Sequence, residues 1–156
     1  MKKIILIIVV TAVAFMQKGF AQDSAASSQL LQSYYNIKNA LVAGNANTAS
    51  AKAEEFVKTL NAIDPKIINL ETRNALLKDA GTISGKKDIK LQRESFATFS
   101  INMYSLVKAA KLTTAPVYYA YCPMKKAYWL SNEAAIKNPY YGNSMLTCGS
   151  VKETLK

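Results

Sequence analysis

Histidine does not occur once in the 156 residues, and Asp and Glu number only 10 against 20 Lys and Arg. The first absence removes the commonest general base and the usual ligand for zinc or divalent copper. The second leaves few carboxylates for acid–base chemistry. Only Glu133 falls in the aromatic C-terminal part, where a place in the first turn of a short helix accounts for it. A glycine-rich phosphate loop and a nucleophile-elbow pattern are also missing, so the sequence predicts a protein that is not an enzyme. Long apolar runs are absent too. The segment Ile4 to Phe15 is shorter than the about 20 residues that a membrane-spanning helix needs.

That short run has the context of an export signal. Lys2 and Lys3 precede it and Gly19-Phe20-Ala21 follows it, a small-x-small pattern that predicts cleavage after Ala21. The expected organisation is a signal peptide over 1–21, a flexible Ser/Ala/Asp/Gln leader over 22–29 and one domain over 30–156, periplasmic or secreted, with no stable membrane insertion after cleavage. Lys2, Lys3 and Lys18 leave with the signal and no acid does, so the net charge falls from +10 to +7. The remaining lysines are dispersed except for Lys86-Lys87 and Lys125-Lys126. Dispersed charge predicts a solvated basic surface and no nucleic-acid partner.

Within the domain, apolar periodicity predicts a mainly α fold. Leu30, Tyr34, Ile37 and Leu41 recur at helical spacing and stop near Gly44, and Asn45 or Asn47 then caps a second helix carrying Ala49, Ala53, Phe56, Val57, Leu60 and Ile63. A weaker third helix is expected over Ile67 to Ala80, with Leu70, Leu76, Leu77 and Ala80 on its apolar side and Gly81 as terminator. The strongest stripe, over Asp88 to Ala110, holds Ile89, Phe96, Phe99, Met103, Leu106, Val107 and Ala110. Val117 to Tyr121 and Ala127 to Leu130 have the bias of a small β-hairpin. A short helix capped by Ser131 and running through Ile136, then an irregular segment, completes the antiparallel bundle.

What the sequence does contain is concentrated between Cys122 and Gly149. This stretch holds both cysteines, the only Trp and two of the five Met. Met124 follows Cys122 by two residues and Met145 precedes Cys148 by three, so folding the segment back on itself would gather four sulfurs. Thiolate and thioether donors select monovalent copper.

The same residues carry a resemblance. Cys122-Pro123-Met124, Trp129-Leu130-Ser131, Ile136, Asn138-Pro139-Tyr140-Tyr141-Gly142, Met145-Leu146 and Cys148-Gly149 resemble the signature of a family of exported bacterial domains of unknown function. In the helical half Tyr34-Tyr35, Lys38, Ala40-Leu41, Gln92-Arg93, Phe96 and Ser100 are similar to it. The family also occurs fused to periplasmic adaptor subunits of copper and silver efflux pumps. The resemblance therefore implies a standalone version of such a module, with an efflux adaptor or copper-handling proteins as partners.

Two readings of the sulfur segment stand side by side. In the first, Cys122, Met124, Met145 and Cys148 bind monovalent copper or silver, with Lys125 and Lys126 favouring the thiolate. In the second, an even pair of cysteines in an oxidising compartment forms a disulfide that staples a structural or protein-interaction domain, worth about 3 to 4 kcal/mol for a loop of this length.

Overall fold

The computed structural model describes residues 26–110 and 112–156. The expected export signal and the start of the leader lie outside the described residues. Four helices precede a three-stranded antiparallel sheet: α1 (26–42), α2 (Ala46–Ala62), α3 (Leu70–Ser84), α4 (Ile89–Ala110), β1 (Val117–Cys122), β2 (Ala127–Ser131) and β3 (Ser150–Leu155). The fold is mainly α with a C-terminal sheet, as the periodicity predicts. Residues 26–29, assigned to the leader above, already belong to α1, where Ser27 and Leu30 are buried. Among the described residues, no helix is long and apolar enough to cross a membrane.

The expected stripes form the core. Leu30, Tyr34, Ile37 and Leu41 of α1 are buried, as are Ala49, Ala53, Phe56 and Leu60 of α2 and Phe96, Phe99, Met103, Leu106 and Val107 of α4. Gly44 takes a left-handed conformation (φ 72°) after α1, and Asn45 caps α2 by accepting the Thr48 N–H at 2.9 Å. Tyr34 stacks on Phe96 with ring centroids 5.3 Å apart, and Phe99 meets Phe56 edge-on at 4.8 Å. Rings in these arrangements add to the burial of their area.

Helix α3 departs from expectation. It begins at Leu70, which is 72% exposed, and continues through Gly81 to Ser84. Asn69 caps its start by accepting the Thr72 N–H, and Ile83 is fully buried one turn beyond the expected stop. Burial of Ile83 outweighs the modest helix penalty of a glycine, about 1 kcal/mol.

The sheet order is β2-β1-β3, with β1 central. Cys122 pairs with Ala127, Ala120 with Trp129, and Tyr121 with Tyr128, so partners share a face. One face meets α4, where Tyr104, Tyr119 and Tyr128 stack at centroid separations of 4.0 and 4.6 Å. The Tyr34 hydroxyl joins bundle to sheet: it lies 2.7 Å from Ser100 Oγ and accepts the Leu130 N–H at 3.0 Å.

The C-terminal part departs from the expected helix and adds a strand. The short helix expected from Ser131 does not form. Ser131 Oγ accepts the Glu133 N–H in a local turn, and residues 132–135 are bends. So short a helix recovers few hydrogen bonds for its nucleation cost, and the serine is also engaged by Lys38 at 3.4 Å. The residues after Cys148, for which no element was expected, form β3 along the free edge of β1. Val151, Glu153 and Leu155 are half-buried in alternation with exposed neighbours, and Glu153 accepts the Tyr104 hydroxyl at 2.6 Å.

Candidate sulfur site

Cys122 ends β1 and is buried; Cys148 precedes β3 and is half-buried. Because β3 returns along β1, the two ends meet, and the sulfurs lie 3.9 Å apart as free thiols. The hairpin loop between β1 and β2 wraps around them. Its Lys125 N–H donates to Cys122 Sγ at 3.4 Å, and Lys126 takes a left-handed conformation (φ 55°) to close the turn. At Cys148, loss of water and the neighbouring Cys122 outweigh the favourable main-chain dipole of Met124, and the thiol is held above its ordinary range.

The C-terminal segment holds the second cysteine in place through Asn138. Fully buried, Asn138 donates its side-chain amide to the Cys148 carbonyl at 2.7 Å, accepts the Tyr140 N–H at 2.8 Å, and donates its own N–H to the Leu146 carbonyl. Gly149 (φ 144°) lies against the Trp129 ring, where a Cβ would come within 2.8 Å of a ring carbon and 2.9 Å of the Tyr121 carbonyl. Only glycine fits there without displacement. Tyr140 packs edge-on to Trp129 and donates its hydroxyl to the Tyr128 carbonyl.

The methionines are placed differently from one another. Met124 stands at the tip of the hairpin loop with 64% of its surface exposed, so its main chain touches the site while its thioether faces water. Met145 is half-buried after a 3₁₀ turn (Gly142–Ser144), and its carbonyl accepts the Cys148 N–H at 3.1 Å. The structure thus brings the two cysteines together directly and each methionine beside them through the backbone. The expected help from lysine charge is also altered: Lys125 reaches Cys122 through its N–H, while its side chain lines a groove with Lys90 and Arg93. Asn138 and the loop N–H groups were not singled out as site residues by sequence. An Asn-Pro pair reads as a turn, and its buried hydrogen bonds depend on which chain segment it faces.

Among the described residues, no cluster of three or more His, Cys, Asp and Glu is present. The geometry defines a small helical domain with a dithiol at the hairpin-loop end of its sheet. The match to the family described as protein of unknown function (DUF3347) spans residues 30–115, more than half of the chain, and the chain belongs to that family. The matched residues run from α1 to just before β1, so they include Tyr34, Lys38, Gln92, Arg93, Phe96 and Ser100 and stop short of Cys122. No curated protein and no solved structure matches the chain.

Proposed function

We propose that the protein is a periplasmic module that binds a monovalent soft metal ion, copper or silver, as cargo for heavy-metal efflux or homeostasis. The observation that carries this reading is the 3.9 Å separation of two free sulfurs. A metal–sulfur bond is about 2.3 Å, so two thiolates on one ion lie about 3.8 Å apart in tetrahedral and about 4.6 Å apart in linear geometry. The site needs little rearrangement to fit. Its all-sulfur donors, in a chain without histidine, suit monovalent copper and serve harder dications poorly. Met145, beside Cys148, and Met124, once its exposed side chain turns inward, would supply thioether donors.

The partner follows from the same reading: an efflux adaptor or another copper-handling protein that takes the ion on. Export by a signal cut after Ala21 would place the module where such pumps draw their load.

The structural reading keeps one observation of its own. Cys122 is buried and its sulfur faces that of Cys148, so oxidation would staple β1 to the start of β3. Competition titration of reduced protein with monovalent copper, beside a free-thiol count on protein taken directly from the periplasm, separates the two. The metal module gives free thiols and stoichiometric uptake that either Cys122→Ser or Cys148→Ser abolishes. The stapled domain gives no free thiols, and its reduced form takes up no copper through the cysteines.

A further inference from the structure

Beside the sulfur pair runs a groove of about 350 Å³ lined by Lys90, Arg93 and Glu94 of α4, Lys125 of the hairpin loop, and Tyr141 and Ser144 of the C-terminal segment. It brings three cations to one carboxylate. None of the three cations forms an ion pair among the described residues, where the pairs are Lys38–Glu133, Lys52–Glu55, Lys108–Glu153 and Lys137–Glu133. Arg93 is fixed by donating from Nη2 to the Leu41 carbonyl at 2.8 Å, and its Nε is buried without a partner. A concave site with clustered cations that form no ion pair is suited to a carboxylate, which arginine and lysine bind by charge-assisted hydrogen bonds. The groove adjoins the sulfur site at one residue. The Lys125 side chain lines it while the Lys125 N–H contacts Cys122 Sγ.

We propose that this groove holds the carboxylates of a small acidic thiol, the carrier from which the cysteine pair receives its ion. The inference rests on the metal-binding reading for its cargo, though not for the carboxylate site itself. Cys148, the less buried sulfur, is the natural point of first exchange. One metal–sulfur bond to the carrier breaks as one to Cys148 forms, and the Cys148 proton leaves on the carrier sulfur. The ion keeps its oxidation state. Lys90, Arg93 and Lys125 hold the carrier while the exchange proceeds.

The test uses full mature protein and two kinds of probe. S-methylglutathione, which carries the carboxylates without a free thiol, is titrated into metal-free protein and followed by amide shifts. Shifts at Lys125, Tyr141 and Ser144 that vanish in Lys90→Gln/Lys125→Gln support the site; no shifts, or shifts that the double variant retains, overturn it. Copper transfer is then timed from glutathione and from neutral dithiothreitol. Lys90→Gln, whose side chain lies outside the sulfur site, should slow transfer from glutathione about tenfold at low salt and leave transfer from dithiothreitol within about twofold. Equal slowing from both carriers, or none, overturns the carrier role. If neither carrier delivers copper to wild-type protein while the S-methylglutathione shifts persist, the metal reading fails and the carboxylate site stands.

Discussion

Lys38 has no exposed surface, and its ammonium lies 3.4 Å from Ser131 Oγ and 4.0 Å from a Glu133 carboxylate oxygen. Burial pushes its pKa down, opposed by Glu133. One long hydrogen bond and a distant, partly exposed carboxylate are thin compensation for a desolvated charge. Replacing Lys38 by an apolar side chain removes that desolvation cost, while the partly exposed Glu133 keeps Lys137 at 2.9 Å. Lys38→Met should therefore leave stability unchanged or raise it by about 1–3 kcal/mol in urea denaturation. The sign of the pH dependence follows. Between the lowered folded value and about 10.4 the unfolded chain binds the extra proton, so Lys38 makes stability rise with pH through that window. The buried Tyr34, Tyr35 and Tyr140 and the half-buried Tyr119, all raised, act in the opposite sense only above about 10. Stability curves against pH for wild type and Lys38→Met should diverge below pH 10 and lose the rising limb in the variant. Parallel curves would place the ammonium in water. At the sulfur site, Gly149→Ala should destabilise by about 1–3 kcal/mol, since its Cβ would strike Trp129 and the Tyr121 carbonyl. An unchanged urea midpoint would mean that the segment is free to shift.

At the scale of elements, α4 is the piece on which the others depend: it packs against α2, α3 and β2, and its Phe96 touches Tyr34, Phe99 and Tyr140. Phe96→Ala should cost about 3–5 kcal/mol through lost transfer energy and the cavity left behind. Loss of helix and of tyrosine signal should coincide on heating; separate transitions would mean that the sheet does not depend on the bundle. This helix was legible in the sequence because its apolar residues keep one period for 22 residues. Helix α1 and the hairpin were legible for the same reason, a long stripe in one and aromatic, β-branched runs in the other. The end of α3 was not, because Gly81 is a stop signal locally and Ile83 is a core residue only in three dimensions. Nor was β3: its inward positions are Val151, Glu153 and Leu155, and the middle one is an acid whose partner, Tyr104, is 49 residues away. The contact of Arg93 with the Leu41 carbonyl at the end of α1 was not legible either, since it joins residues 52 apart in the chain.

The whole molecule divides unequally. The helical half carries the family match, and the sheet with its return segment carries the cysteine pair, so the two lie on different stretches of one chain. The sequence placed the cysteines and methionines in one segment but left metal site and disulfide open. Which atoms face one another was set by β3, the element it did not predict. The proposed function requires Cys122 and Cys148 to hold one ion together. Copper-edge X-ray absorption on reduced mature protein loaded with one equivalent of monovalent copper tests this directly. The prediction is a sulfur-only shell that loses sulfur in Cys122→Ser and in Cys148→Ser and is only loosened in Met124→Leu and Met145→Leu. A shell of oxygen and nitrogen alone, or one that neither serine variant alters, would contradict the account.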